Sequence, residues 1–283
     1  MRQTSDIAKE RDAMHTLVEL TSVFEGLASM RIAQIKDQVQ SSEKYFADLW
    51  HIYTQIRVDE LFHFGRSQSR EQVINKELMI LITSEGSFSG DIDQRLVGDA
   101  LAHYKPEHND IVVIGHHGAM QLAQRGVRYT RSFKLPVHDR DINVMPIIAE
   151  AQRYSNTVVY YEAYISLTTQ DIKQIQLSAA VAERGQKIAP GEETISEHNY
   201  IFEPSTYAVV DHLERSMMQI SLSEVILESK LAQYASRFRA MSAAHQKADE
   251  TFGDLTTLYN RVRRRIKDER LKEVMNALRK TQS

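Results

Sequence analysis

Residues 234–266 read YASRFRAMSAAHQKADETFGDLTTLYNRVRRRI. Tyr234, Phe238, Met241, His245, Ala248, Phe252, Leu255, Tyr259, Val262 and Ile266 recur at alternating intervals of 4 and 3. That is a seven-residue repeat held for more than four heptads, the pattern of a left-handed coiled coil. The helix it predicts spans about 50 Å at 1.5 Å per residue. His245 is the one strongly polar position in the seam.

A weaker repeat lies at the other end of the chain. Met14, Leu17, Thr21, Phe24, Ala28, Arg31 and Ile35 are spaced 3, 4, 3, 4, 3, 4, with Thr21 and Arg31 polar. Two seams at opposite ends can pair with each other, and an antiparallel pair is the simplest arrangement. Proline agrees, because it breaks helix interiors. All five prolines lie between Pro106 and Pro204, leaving both ends free to form long helices. Gly26 is the one glycine of the N-terminal repeat. It marks either a close approach to the partner helix or a local soft point.

The middle alternates strand and helix signals. Strands are predicted at Leu78–Thr83, Asp110–Ile114 and Asn156–Tyr164, with Gln174–Leu177 as part of a fourth and a last one at Tyr200–Phe202. Helices are predicted at Asp91–His103, Gly118–Gln124 and Val144–Tyr154. Such alternation argues for an α/β layer with parallel pairing. The fold class is α/β: a Rossmann-like α/β domain plus a long antiparallel coiled coil of the terminal helices. The expected domains are 1–60, 61–205 and 206–283.

The chain has 283 residues, no cysteine and a net charge of −3. Disulfides and thiolate zinc sites are excluded. Nothing global suggests nucleic acid. No stretch reaches the roughly 20 apolar residues of a membrane span. The first residues, MRQTSDIAKERD, hold no apolar signal core.

The stretch ILITSEGSFSGDI, residues 80–92, has the strand–glycine loop–helix form of a phosphate site. A Walker loop needs lysine and Ser/Thr after its last glycine. Here Gly90 is followed by Asp91, Ile92 and Asp93, whose carboxylates would repel a phosphate and complement the helix dipole instead. A structural turn is the expectation. His116-His117, near His103, His108 and Asp110, is weighed as a metal site against solvated loop histidines. His138, Asp139, Arg140 and Asp141 are weighed as acid/base chemistry against a solvated loop.

Arg261, Arg263, Arg264 and Arg265 surround seam residues Val262 and Ile266, and Asp268 and Glu269 follow. This charge suits an acidic protein partner, a nucleic acid or a plain solvated face.

With these residues assembled, the chain resembles the gamma subunit of F-type ATP synthases. Tyr259-Asn260-Arg261-Val262-Arg263 resembles that family's YN-[RK]-A-R signature. Arg237 to Ala244 resembles R-M-x-A-M-x-x-A, and Leu271, Glu273 and Val274 match L-x-E-I. Ile82 to Gly90 is similar to ITSDRGLCGG, a structural turn in the family. Tyr200 to Pro204 resembles Y-x-[FY]-E-P before the last helix. Leu20-Thr21 with Glu25 through Arg31 follows I-T-K-A-M-x-M-V-x-x-x-[KR].

The departures are Gly26 in place of methionine, Ser22 in place of lysine, and Asp268-Glu269-Arg270 in place of Thr-Gln-Glu. Those family positions touch the catalytic beta subunits.

The resemblance implies a non-catalytic central-stalk rotor without cofactor, metal or nucleic acid. Its implied partners are the alpha and beta subunits as a hexamer, the epsilon subunit and the membrane c-ring. Membrane association would come only through the complex, peripherally, at the cytoplasmic face of a bacterial cell membrane. Arg31, Arg261, Arg263, Arg264, Asp268 and Glu269 are the candidate partner contacts. The shaft should be stiff, and its partner-facing surface polar or small. The alternatives are a non-rotary coiled-coil scaffold or signalling protein with an α/β ligand-binding domain, and a metal-dependent or phosphate-handling enzyme.

Overall fold

The computed structural model describes residues 4–55, 74–86, 88–135, 142–177, 201 and 203–281. Two helices, α1 (Thr4–Gln55) and α5 (Thr206–Thr281), bracket a five-stranded sheet. Between them run β1 (Ile74–Ile82), α2 (Ile92–His103), β2 (Asn109–Ile114), α3 (His116–Gln124), β3 (Arg131–Phe133), α4 (Met145–Ala151), β4 (Tyr154–Tyr164) and β5 (Gln170–Gln176). The chain divides into two compact units: residues 1–28 with 238–283, and residues 29–237.

The sheet of the larger unit has the order β3-β2-β1-β4-β5. β1 pairs parallel with β2 and β4, and β2 with β3. Both sheet faces are covered, which makes parallel strands read as continuous apolar runs. Leu78, Ile80 and Ile82 point to one face, with Val112, Ile114, Val159 and Tyr161. There they meet Ile147 and Ile148 of α4, Phe46 of α1, and Met217, Leu222 and Ile226 of α5. Met79 and Leu81 point to the other, with Ile111, Val113 and Tyr160, against Leu96, Val97 and Ala100 of α2 and Leu122 of α3. The period of two in β1 is therefore hidden, because both sides are core.

Several sequence expectations change. Pairing is not parallel throughout. β5 runs antiparallel to β4 and spans Gln170–Gln176, so the expected segment Gln174–Leu177 supplies its last residues. A short turn permits this: Ser166 N–H donates to Thr169 O at 2.9 Å. β3, Arg131-Ser132-Phe133, is an unanticipated edge strand, too short and polar to signal itself. α4 ends at Ala151 instead of Tyr154, which begins β4. The strand expected at Tyr200–Phe202 rests on Tyr200 and Phe202, which lie outside the described residues, as do His138 to Asp141.

In the smaller unit the C-terminal seam appears as read. Met241 and Ala248 are buried, and Phe238, His245, Phe252, Leu255, Tyr259, Val262 and Ile266 are half-buried. The opposing helix runs antiparallel: Arg11 lies over the Tyr259 ring at 4.7 Å, and His15 meets Phe252 edge-on at 5.2 Å. Thr21 meets His245 at 3.2 Å. The N-terminal seam needs one correction here. Leu17 is 43% exposed, and Val18 takes its place, giving Ile7, Arg11, Met14, Val18, Thr21, Phe24 and Ala28 as inward positions. In the larger unit, Ile32 is likewise buried next to half-buried Arg31. Gly26 has no heavy atom within 4 Å of a built Cβ, so close approach to a partner helix is not its reason.

Candidate functional site

The glycine loop is the first place where chemistry was weighed, with a structural turn as the expectation. β1 ends at Ile82, and Thr83 turns the chain. The Thr83 hydroxyl donates to Ile114 O at 2.9 Å and accepts the Gly118 N–H at 3.0 Å, tying β1 to β2 and the start of α3. Gly115, at φ +101°, is required here: a Cβ would stand 2.0 Å from Thr83 O.

The space that a phosphate would need is filled from within. Asp93, on the first turn of α2, is 2% exposed. Its Oδ1 accepts the Ser84 N–H at 2.8 Å. Its Oδ2 accepts the hydroxyls of Ser84 at 2.6 Å and Ser89 at 2.9 Å, and His117 Nδ1 at 3.1 Å. A carboxylate built into the loop thus takes the donors that a bound anion would take. His117 is therefore not a solvated loop histidine: it opens α3 and anchors Asp93. His116 is exposed. Among the described residues, no group of three or more His, Asp and Glu side chains gathers as a metal site.

Sequence reading missed a second carboxyl behind this loop. Glu162 of β4 is fully buried, and Ser229 of α5 donates to its Oε2 at 3.4 Å. Burial first, and the Asp93 carboxylate second, push its pKa well above the ordinary glutamate value of 4.5; Gln233 and Ser229 oppose the rise. No spacing signals a contact between residues so far apart in sequence. The only clue was a glutamate in the apolar stretch NTVVYYEAY.

The helix pair of the smaller unit is the second candidate. His245 Nδ1 lies 3.1 Å from Val18 O and 3.2 Å from Thr21 Oγ1. A carbonyl can only accept, so Nδ1 carries the proton. The Thr21 hydroxyl donates onward to Leu17 O at 2.7 Å. The polar positions of the two seams are partners, which fixes one register for the pair.

Around this seam, Arg261, Arg263, Arg264 and Asp268 are exposed. Glu269 is also exposed and accepts from Arg265 Nε at 3.0 Å. Arg31 is not among them: it belongs to the larger unit and donates to Gln34 Oε1 at 3.2 Å. The outer surface is not uniformly polar or small, as expected. Leu17, Leu20, Val23 and Leu27 are exposed along one side of α1, and Leu271, Val274, Met275 and Leu278 on α5. Exposed apolar rows at helical spacing mark contact surfaces.

The family model described as ATP synthase matches residues 3–278. The chain belongs to the ATP synthase gamma-chain family. The gamma chain of Chlorobaculum parvum is 23% identical, with 97% of each chain covered, and that of Chlorobium phaeobacteroides is 25% identical over the same shares. A chain of the Euglena gracilis mitochondrial ATP synthase, solved as OSCP/F1/c-ring, superposes with TM-score 0.64 at 12% identity, covering 98% of this chain and 94% of that one. A chain of the Tetrahymena thermophila central stalk and c-ring gives TM-score 0.56 at 15% identity. These likenesses carry the fold: a mixed α/β sheet between long terminal helices. In this chain the Asp93-filled loop is a turn between β1 and α2.

Proposed function

We propose that this gamma chain is the central-stalk rotor of an F-type ATP synthase, passing torque between a membrane c-ring and an alpha–beta catalytic hexamer. It performs no bond chemistry itself. One observation carries the reading: an antiparallel helix pair packed along a repeating seam, in a chain whose family match runs nearly end to end. Support also comes from neighbours whose structures are described as rotor, central stalk and c-ring.

The helix pair can transmit torque because its seam interlocks side chains along its length, so one helix cannot slide on the other. Its surface differs from side to side. Each orientation therefore makes different contacts and favours a different state of the surrounding subunits. A rigid object that binds several conformations unequally shifts their populations, and so drives binding, conversion and release in turn.

The contact residues of this reading are Arg261, Arg263, Arg264 and Asp268, with Glu269 through its pair with Arg265, and the apolar row of α1. Arg31 belongs to the reading as a contact made from the α/β unit. The epsilon subunit and the c-ring complete the partners. No described helix is long and apolar enough to cross a membrane. Attachment to a bacterial membrane, peripherally and at its cytoplasmic face, would run through the complex.

Affinity purification through a tag on this chain tests the assignment. The rotor reading expects alpha, beta and this chain in a three-to-three-to-one assembly. Recovery of the chain without alpha and beta subunits would favour a free-standing scaffold and end the reading.

A further inference from the structure

Within the larger unit α5 is held by two kinds of contact. Met217, Leu222, Val225 and Ile226 join the apolar core against the sheet. Further along, Ser229, Gln233 and Ser236 recur at i, i+4 and i+7, which places them on one side of the helix. All three are buried. The Ser229 hydroxyl donates to Glu162 Oε2 of β4 at 3.4 Å and accepts from Gln233 Nε2 at 3.1 Å. The Ser236 hydroxyl donates to Ser89 O of the glycine loop at 2.7 Å. Gly90 permits that approach: it sits at φ +72°, and a Cβ there would stand 3.3 Å from Ser236 Oγ. The larger unit ends at Arg237, so Ser236 is gripped one residue before α5 passes into the smaller unit. The loop that grips it is itself braced. Asp93 ties Ser84 and Ser89 together from within, and Thr83 ties the loop's start to β2 and α3.

We propose that the Asp93-filled loop is a bracket that fixes the rotational setting of α5 about its own axis, where the helix leaves the α/β unit, with Ser229 and Ser236 as positioning residues. Apolar burial is non-directional, so it holds α5 against the sheet without choosing how the helix is rolled in its seat. Hydrogen bonds weaken steeply off line, so two of them, seven residues apart on one side of the helix, select a single setting. The loop thereby gains a mechanical use in place of a ligand. Its part in torque rests on the rotor reading: a bracket at this point makes rotation of the α/β unit turn the helix instead of being lost as roll.

Pulsed electron paramagnetic resonance between spin labels on Thr168→Cys and Ala243→Cys tests the bracket in the full-length chain, which has no cysteine of its own. The labelled chain should show one dominant distance. Ser236→Ala should enlarge the population at other distances about fivefold, and adding Ser229→Ala should enlarge it further. Ser221→Ala is the matched control. That hydroxyl is buried on the same helix and has no hydrogen-bond partner among the described residues, so its loss should leave the distances unchanged. Circular dichroism melting separates a changed setting from a lost fold, and if the double variant does not fold, Ser236→Ala against Ser221→Ala decides alone. Unchanged distances in a folded Ser236→Ala chain would overturn the proposal. Equal broadening by Ser221→Ala would do so too, because it would assign the effect to general loosening.

The torque role is read in the assembled complex, from an optical probe on Thr168→Cys with the alpha–beta hexamer immobilised. Ser236→Ala should widen the spread of probe angles within each dwell, and Ser221→Ala should not. A probe that fails to rotate without either substitution counts against the rotor reading. A probe that rotates with the same spread in both variants counts against the bracket.

Discussion

Thr21 and His245, 224 residues apart in sequence, meet side chain to side chain at 3.2 Å inside an otherwise mostly apolar helix seam. Each is a polar member of its own repeat, and together they satisfy each other and the Val18 carbonyl. Thr21→Val should cost about 1 kcal/mol in urea unfolding, because His245 loses one partner. The double variant Thr21→Val, His245→Leu should equal or exceed the natural chain in stability, since an apolar seam needs no such pair. A double variant less stable than either single one would contradict this.

Asp93 organises the turn between β1 and α2 by accepting from Ser84, Ser89 and His117. Asp93→Ala should destabilise the chain by about 3 kcal/mol or more, because several buried donors lose their acceptor at once. Asp93→Asn should cost less, since its amide oxygen still accepts. Denaturant midpoints with unchanged slopes would measure both.

Glu162 makes stability depend on pH in a stated direction. Its folded-state pKa is raised, first by burial and then by Asp93, so folding favours the protonated form. The stability this contributes is fully present below the ordinary value of 4.5 and is lost as pH rises through the raised value. Glu162→Gln removes the titration. The variant should gain on the natural chain as pH increases from about 4 to 8 in urea midpoints. A constant difference across that range would remove the claim.

Arg263 and Arg264 are exposed outside the seam. Reversing both to Glu should change the chain's own stability by no more than about 0.5 kcal/mol. In the assembled complex the same variant should lower coupled ATPase activity several-fold. Unchanged coupled activity would take these two residues out of the contact surface.

What the sequence made legible follows from periodicity. The intervals through Phe238 to Ile266 coincide with the buried side of α5, since the repeat alone decides which side faces a partner. The same logic misplaced Leu17 by one residue: Leu17 and Val18 are both apolar neighbours, and only the path of the partner helix chooses between them. The carboxylates after Gly90 were legible as partners for the loop and helix start rather than for a phosphate. That Asp93 itself takes the anion's place, backed by Glu162 and Ser229, depends on contacts between distant segments that no local pattern encodes. β3 escaped for a simpler reason, because Arg131-Ser132-Phe133 holds a single apolar residue at a sheet edge.

The rotor assignment is tested most directly by watching the chain turn. It contains no cysteine, so Thr168→Cys, in the exposed turn between β4 and β5, gives one attachment point for an optical probe. With the alpha–beta hexamer immobilised and ATP supplied, the account predicts sustained rotation of the probe in one direction. A probe that stays still while the same complexes hydrolyse ATP would contradict it.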